Sequence, residues 1–371
     1  MTRTTGHVSG WFARAAACVF VAATLSTQSS WAEVPAIETT YYGQLNFGAL
    51  QVDNGGGREH YIAENPSVPS RVGVSWFVPL ENAATLTIQF ETGLGLTNLS
   101  EVSAANDRLR FDFQRSDLRR FELIYASDAW GRLSLGQGSM ASDGASGADL
   151  SRTSHALGPA ISDLGGSTQF LMPDGSGSGV FVEDVFDDLS GLRRFRARYD
   201  TPSWNGLTLS IAHGTDILRR GANLDFTDIA VSYSLDKEAV ALEAIASYEW
   251  VDGLEERVVA SASLFHKKTG LNATFATGAN QRGDGGYVYA KLGLVSDVNH
   301  LGPSAIAVEY YDGNDLGFLD SRSKALGVGF TQNVDAWNLD LVAAMRRYRV
   351  ISPSQTFQRV DALLIGARWR F

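Results

Sequence analysis

The sequence predicts an all-β protein, a 16-stranded antiparallel transmembrane β-barrel. Three observations predict it: the alternation in the last strand, an even number of strands, and connections that alternate between short and long. In the last strand, Ile365, Trp369 and Phe371 share one face, whereas Arg368 and Arg370 share the other. A strand of an outer-membrane barrel alternates in this way because lipid wets one face and water the other. We therefore expect Phe371 to be the barrel-closing terminus.

Alternating apolar and polar residues recur along the rest of the chain. The predicted strands are 38–53, 70–79, 84–96, 117–127, 131–139, 192–201, 207–215, 225–235, 240–250, 257–267, 271–279, 287–296, 304–312, 321–332, 337–349 and 358–371. An even number allows both chain ends of a closed antiparallel barrel to lie on one side.

The connections between these strands differ in length in a regular way. Tight links such as 202–206 and 268–270 contain the Gly, Pro or Asn residues that turns require. Every second link is generally longer and more polar, as at 54–69, 99–116 and 313–320. Short periplasmic turns on one rim and long extracellular loops on the other are typical of outer-membrane barrels.

The N-terminal segment predicts export. Residues 1–32 contain Arg3 and Arg14, an apolar stretch at 15–25 and a small-residue end at Ala32, the pattern of a cleaved signal peptide. The apolar stretch is too short for a membrane anchor. A lipoprotein site at Cys18 is disfavoured because the apolar core continues past it and no Leu stands three residues before. The predicted mature chain is therefore 33–371.

Composition excludes several other classes of protein. The single cysteine lies in the signal peptide, so the mature chain has no disulfide and no thiolate metal site. No later segment has a continuous apolar run of the length that a transmembrane helix needs. The formal net charge of −10 argues against a nucleic-acid partner.

One connection, residues 140–190, breaks the length pattern and is the strongest functional signal. A loop of this length inside a compact fold is usually functional or disordered. It contains one arginine, Arg152, against many carboxylates. The acidic residues are Asp143, Asp149, Asp163, Asp174, Glu183, Asp184, Asp187 and Asp188.

The strand-loop-strand around this connection resembles that of a known family. The loop follows GRLSLGQGS at 131–139 and leads into RRFRARYDTPSWNGLTLS at 193–210. With the strand count, the loop order and the terminal Phe, residues 33–371 resemble the general diffusion porins of Gram-negative bacteria, most similarly the alphaproteobacterial kind. The resemblance implies an inward-folded third loop whose acids face basic residues across an eyelet. It also implies an outer-membrane homotrimer in which the loop at 99–116 reaches over a neighbouring subunit.

The arginines after the loop predict the basic side of such a constriction. Arg194, Arg196 and Arg198 share a strand face with Asp200, and parity places Arg120 and Arg346 on inner faces too. Acids opposite this wall would create a transverse field that orients dipolar solutes. The alternative is that these arginines are solvated or paired with lumen acids.

The predicted function is passive diffusion of ions and small hydrophilic solutes through a water-filled pore. The carboxylates of the loop and of the whole chain predict weak cation selectivity. No cofactor is expected, although the carboxylates and glycines of 174–188 leave structural Ca²⁺ open. This segment lacks the fixed ligand spacing of an EF-hand.

Three alternatives stay open. A substrate-specific channel would use aromatic rows in the lumen, for which Tyr42, Tyr287, Tyr289 and Tyr311 are candidates. A barrel lipid hydrolase would need a Ser-His pair, but the histidines are scattered and no nucleophile elbow accompanies them. A β-sandwich binding protein would have apolar inner faces and no reason for one rim of turns and one of loops.

Overall fold

The strands of the computed structural model join into one antiparallel sheet that closes on itself. The structure describes residues 37–371 except 220, 222, 223 and 284, so the predicted signal peptide 1–32 lies outside the described residues. The strands are β1 Glu38–Asp53, β2 Arg58–Glu64, β3 Arg71–Pro79, β4 Thr85–Gly93, β5 Leu118–Ser127, β6 Gly131–Ser139, β7 Gln169–Leu171, β8 Gly177–Phe181, β9 Arg193–Asp200, β10 Leu207–Thr215, β11 Asp225–Asp236, β12 Val240–Val251, β13 Glu255–His266, β14 Leu271–Asn280, β15 Gly286–Ser296, β16 Ser304–Asn314, β17 Arg322–Val334, β18 Leu339–Ile351 and β19 Val360–Arg370.

Strand β1 closes the barrel because it is paired on both edges. Its residues 44–53 pair with β19, the last strand. On its other edge it pairs first with β3 and then with β2, so these two segments together occupy one position in the barrel. Strands β7 and β8 form a separate two-stranded sheet. The predicted 16-stranded antiparallel barrel is therefore confirmed.

The prediction of a plain loop at 54–69 is wrong, because β2 lies inside it. The second barrel strand is interrupted by an inner bulge, residues 65–70, in which Pro66 and Pro69 have no N–H to donate to a ladder. Side chains of the buried face of β1 bind this bulge: Asn46 Nδ2 donates to Val68 O over 3.0 Å, and Gln44 Nε2 to Pro69 O over 2.8 Å. The bulge thus lies against the inner face of the barrel.

Most barrel strands have a more exposed, apolar face and a less exposed face that carries many polar groups. In β18, Leu341 and Met345 are exposed. Asp340, Arg346 and Tyr348, which lie on the other face of the strand, are buried. An outer-membrane barrel requires this arrangement, since lipid contacts the outer face. No helix among the described residues is long and apolar enough to cross a bilayer.

The two rims differ as predicted. One rim has short turns, among them 3₁₀ turns at Glu81–Ala83 and Asp335–Trp337. Asn82 and Asn338 in these turns adopt positive φ, which asparagine tolerates better than most residues. The other rim has the longer loops, of which the connection from β6 to β9 is the longest.

The terminal residue extends the last ladder beyond β19. Phe371 N donates to Gly43 O over 3.1 Å, and Gly43 N donates to Phe371 O over 2.9 Å. The Phe371 ring lies over Gly43 and packs beside Trp369, with ring centroids 5.0 Å apart. Gly43 therefore provides the space that the terminal ring occupies.

We expect Gly43→Leu to weaken barrel closure. A Cβ at this position would lie 2.6 Å from the Phe371 ring and 2.9 Å from Arg71 O. Overpacking of this kind costs about 1–3 kcal/mol of stability. The folded fraction is measured by heat-modifiable mobility on gels after refolding. Gly158→Ala, where a Cβ meets nothing within 4 Å, is the matched control. Equal folded fractions for Gly43→Leu and wild type would contradict the role of this contact.

Candidate functional site

The long loop, residues 140–190, has its own local structure. A 3₁₀ turn at Ile161–Asp163 is followed by the β7–β8 hairpin and by the short helix α1, Val182–Val185. The sequence predicts no periodic strand here, and the hairpin strands are too short to show a period. The many glycines and serines of the segment allow this irregular path.

Polar side chains on the inner wall hydrogen-bond to the loop's backbone carbonyls. Arg346 Nη1 donates to Ile161 O over 2.8 Å, and Tyr348 Oη donates to Leu164 O over 2.6 Å. A carbonyl removed from water needs such a partner, because leaving it unpaired is costly. The wall of β18 therefore supplies donors that the loop cannot supply itself.

Strands β13 and β15 bind an earlier part of the loop in the same way. Ser261 Oγ donates to Ala145 O over 2.7 Å and accepts from Ala148 N over 3.0 Å. Lys291 Nζ donates to Leu157 O over 3.2 Å and forms an ion pair with Asp149, 2.5 Å away. The side chains of Lys291 and Asp149 are both almost fully buried.

Aromatic packing against the barrel wall stabilises the end of the loop. The Phe186 ring lies 5.3 Å from Tyr311 and 5.4 Å from Tyr348, measured between centroids. Tyr287 stacks on Tyr311, whose hydroxyl donates to Asp187 O over 2.7 Å. Rings at these distances and angles attract each other beyond simple area burial.

The loop also touches the inner bulge and the nearby strands β18 and β19. Asn65 Nδ2 and Ser67 Oγ in the inner bulge donate to His155 O over 2.8 and 3.0 Å. The His155 ring faces Asp340, with 3.6 Å between Nε2 and the carboxylate. Arg368 and Arg370 bind the same carboxylate. Burial, followed by the nearby Arg368 charge, lowers the pKa of His155 to about 4.

The β7–β8 hairpin lies among the rim loops. Asn54 Nδ2 donates to Gln169 O over 3.1 Å, and Gln358 Nε2 donates to Met172 O over 2.9 Å. Asp174 is exposed at the hairpin tip, where its carboxylate binds Ser176. The prediction that Asp174 faces the arginines is therefore wrong, because the hairpin turns that part of the loop toward the rim.

The other predicted loop acids divide into three groups. Asp143 lies 3.8 Å from Arg193. Asp149, Asp163 and Asp188 line a cavity together with Arg346. The remaining acids are exposed on or near α1. These are Glu183, Asp184 and Asp187.

The surroundings of two of the cavity acids raise their pKa values. Burial, followed by the neighbouring Asp188 carboxylate, raises the pKa of Asp163 to about 7. Burial also raises the pKa of Asp188, although Ser146 Oγ donates to its carboxylate over 2.6 Å. Sequence parity cannot show this, because it does not reveal which acids the fold removes from water.

Of the predicted arginines, Arg120 and Arg198 are partly exposed, whereas Arg194, Arg196 and Arg346 are buried. Arg196 pairs with Glu122 at 2.5 Å, and Arg120 pairs with the same carboxylate at 3.0 Å. Arg198 forms two hydrogen bonds to Asp200, of 2.9 and 2.8 Å. All three arginines line one open cavity beside the loop. The predicted shared face of Arg194, Arg196 and Arg198 is confirmed by the burial pattern of β9.

Two arginines do not belong to this cavity. Arg346 is 1 % exposed and lies between the loop and Glu309, 2.7 Å away, so the prediction that it lines the opening is wrong. Arg194 is buried, with its guanidinium 4.1 Å above the Phe226 ring. The alternation within each strand correctly predicts that both side chains point inward, but the loop and the neighbouring strands cover them.

Sequence reasoning missed four arginines on the open side. Arg132 lines the open cavity and stands opposite Asp200 in the strand register. Arg71 and Arg119 both bind Glu91, at 3.5 and 2.6 Å. Arg119 reaches the inner face because the β4–β5 register shifts at Glu91, which parity alone does not reveal. The fourth is Arg193, beside Asp143.

No metal-binding group is evident in the part of the chain that the structure describes. There, no three His, Cys, Asp or Glu side chains converge. In the acidic segment 174–188, Asp184 accepts from Phe181 N over 2.7 Å and Asp187 accepts from Leu189 N over 2.8 Å. These carboxylates therefore bind the loop's own backbone.

The closed barrel and its charged inner surface define a class, the outer-membrane β-barrel channels. The family model of Gram-negative porins matches residues 13–350, and the chain belongs to this family. It is accordingly a channel protein of the Gram-negative outer membrane. The narrower resemblance to the alphaproteobacterial kind stays a prediction.

Solved structures show the same fold at low sequence identity. An anion-selective porin from Comamonas acidovorans is 14% identical, covers 91% of this chain and 100% of its own, and has a TM-score of 0.59. OprB of Pseudomonas putida is 9% identical over 89% of this chain and 94% of its own, with a TM-score of 0.56. The trimer form of OmpT from Vibrio cholerae is 13% identical over 91% and 100%, with a TM-score of 0.55. No curated protein sequence matches the chain.

We expect Arg346→Met to loosen the loop. The change leaves Glu309 buried without its partner and removes the donor to Ile161 O. Breaking a buried pair in this way costs about 3–5 kcal/mol. Single-channel recordings should show larger current noise and frequent closures.

Arg346→Met combined with Glu309→Gln is the matched control. It removes both charges, so no uncompensated charge stays buried and the noise should be smaller than in the single variant. Equal noise in the single variant and wild type would show that this pair does not hold the loop.

Acid should weaken the contact of the loop at His155. The pKa of His155 in the fold, about 4, lies below its ordinary value of 6.5. The folded contact therefore binds the proton less readily than an exposed histidine. Its stability is complete above pH 6.5 and falls as the pH drops toward 4. Channel noise should rise over this window. His155→Gln, which does not titrate, should remove that part of the change, and an unchanged profile would contradict it.

Proposed function

We propose that this protein is a passive diffusion pore for ions and small hydrophilic solutes, without energy coupling, cofactor or catalytic step. The observation that carries the proposal is the open cavity between the long loop and the arginine wall of β5, β6 and β9. Its lining is polar and charged, with Asp143 from the loop and Arg120, Arg132, Arg196 and Arg198 from the wall. Such a lining favours water and charged solutes over apolar ones.

In this proposal the long loop folds inward and narrows the pore. The strand side chains that bind the backbone of the long loop lie on the strand faces that point away from the exposed apolar residues. Arg346, for example, stands between Met345 and Arg347, and Met345 is exposed. The contacts with β13 and with the inner bulge, which are far apart in the strand order, support a loop that crosses the lumen.

The charges along the open passage support anion preference. The loop carboxylates that predict cation selectivity are mostly paired, raised in pKa or turned to the rim. On the open wall, basic groups outnumber acidic ones. The basic groups are Arg71, Arg119, Arg120, Arg132, Arg193, Arg196 and Arg198, and the acidic groups are Glu91, Glu122, Asp143 and Asp200. Rings or walls of arginine favour anions.

The other candidate functions have less support. Three of the four tyrosines that predict a sugar channel do not offer a free stacking surface, since Tyr287, Tyr289 and Tyr311 are at most 2 % exposed. The fourth, Tyr42, is half-buried and donates to Glu91 over 3.1 Å. Among the described residues, the histidine rings with hydrogen bonds contact threonines: His213 binds Thr227 and His266 binds Thr269. Neither contact is the Ser-His pair that hydrolysis would need.

A homotrimer completes the proposal. The loop at 99–116 carries apolar side chains that a single barrel does not cover: Leu109, Phe111 and Phe113 are 49%, 71% and 54% exposed. Large exposed apolar groups on a rim loop are typical of a protein–protein contact. A neighbouring subunit would cover them, as the resemblance implies for this loop.

We expect the purified protein in a planar bilayer to conduct in steps of three and to prefer anions. The zero-current potential under a salt gradient gives the sign of the selectivity. Arg120→Gln with Arg132→Gln should shift the potential toward cations, because both side chains line the passage. Asp143→Asn should shift it toward anions.

Lys267→Gln is the matched control, because Lys267 is exposed on the short-turn rim and pairs with Asp236. It should leave the potential unchanged. A wild-type protein that prefers cations would mean that the loop carboxylates dominate, as the sequence predicts. A folded protein without conductance would overturn the pore itself.

A further inference from the structure

A group of basic residues lies on the outward face of β16–β19, at the rim with the long loops. We name it the rim patch. Its members are Arg322, Lys324, Arg347, Arg349 and Arg359. Arg322 and Lys324 share a face of β17 with the exposed Leu326, and Arg347 and Arg349 share a face of β18 with the exposed Met345. The patch therefore faces away from the lumen.

The strand registers arrange this surface in levels. Lys324 stands directly opposite Asp312 on one side and Arg349 on the other. The next level toward the barrel middle contains Tyr310, Leu326, Arg347 and Asp361.

The level below is entirely apolar. It contains Val308, Val328, Met345 and Leu363, all of which are exposed. The rim patch thus borders the apolar belt directly, without a polar gap. The Tyr310 hydroxyl, which donates to Asp312 over 2.9 Å, marks the boundary as interfacial tyrosines do.

The carboxylates in the patch do not balance its charge. Asp312 binds Arg322 through two contacts of 2.8 and 2.7 Å, and Lys324 is 4.0 Å away. Asp361 binds Arg347 at 2.6 Å and Arg359 at 3.2 Å.

Arg349 is exposed and has no ion pair among the described residues. The adjoining Asp53 stands opposite Asp361 and pairs with its own cation, Arg58, at 3.3 Å. In the loop above, Asp315 accepts from Asp320 N over 2.7 Å. The patch therefore keeps an excess of positive charge at the level of Lys324 and Arg349.

Like charges directly opposite each other destabilise a sheet. Lys324 and Arg349 are such a pair, and they face the side where lipid lies. An anion between them would turn the repulsion into attraction. Arginine matches phosphate through two parallel N–H bonds, and lysine binds it as a point charge.

We propose that the rim patch binds the phosphate groups of a phosphorylated glycolipid of the outer leaflet, lipid A. The long-loop rim of such barrels is extracellular, so the patch lies at the depth of the outer-leaflet headgroups. The acyl chains of the same lipid would cover Val308, Val328, Met345 and Leu363, the apolar level that continues the patch.

The test uses the purified full-length mature protein in detergent with diphosphoryl lipid A, and native mass spectrometry counts the lipids retained per chain. Lys324→Gln with Arg349→Gln should weaken retention about thirtyfold, because each basic side chain near an anionic lipid surface contributes about a fivefold change. Arg349→Lys, which keeps the charge, should lose much less. The control is Lys237→Gln with Lys267→Gln, which removes two exposed charges from the opposite rim and should retain lipid A like wild type.

Three outcomes would overturn the proposal. The patch variant, folded by heat-modifiable mobility, could retain lipid A like wild type. The wild-type protein could retain dephosphorylated lipid A as well as diphosphoryl lipid A; this comparison needs no variant. The patch variant could lose subunits while each chain keeps its lipid, which would make the patch a subunit contact. Single-channel conductance of the same samples distinguishes these results from a failure of the pore itself.

Discussion

The structure depends on one constraint, that every backbone N–H and C=O at membrane depth must find a partner within the protein. Hydrocarbon offers none, so a sheet in a membrane has to close. Strand β1 meets this requirement by pairing with β19 on one edge and with β3 and β2 on the other. The inner bulge at 65–70, which interrupts the second barrel strand, lies on the inner face, where Gln44 and Asn46 bind its carbonyls.

Closure also decides what the inner face is used for. With alternation of period two, every lipid-facing residue leaves its neighbours pointing inward. On β13–β18 these inward groups hold the long loop: serine, lysine, arginine and tyrosine side chains donate to its carbonyls, and Phe186 packs between tyrosines. On β5, β6 and β9 the same alternation leaves arginines beside open space. One half of the wall thus supports the loop, and the other half borders open space.

In the proposed pore, this division explains why a strongly acidic chain presents a basic passage. Many carboxylates stabilise the fold through ion pairs. Glu309 pairs with Arg346, Asp149 with Lys291, and Asp340 with Arg368. Net charge describes solubility and long-range steering, whereas selectivity follows from the few groups that border the passage. The rim patch shows the same separation on the outer surface, where local excess charge opposes the sign of the whole chain.

The sequence by itself determined the barrel, its strand number and the position of the long loop, because alternation and turn residues are local signals that repeat in every strand. It also determined that Arg194, Arg196 and Arg198 share a face, since parity within a strand needs no knowledge of neighbours. It failed at β2, which lies between three glycines and the prolines of the inner bulge, and at Arg119, which a register shift turns inward. Only the tertiary structure decided which inward charges remain open. Arg346 and Arg198 have the same parity signal, yet the loop covers the first and leaves the second beside the open cavity, because burial depends on what packs against a residue and not on its own strand.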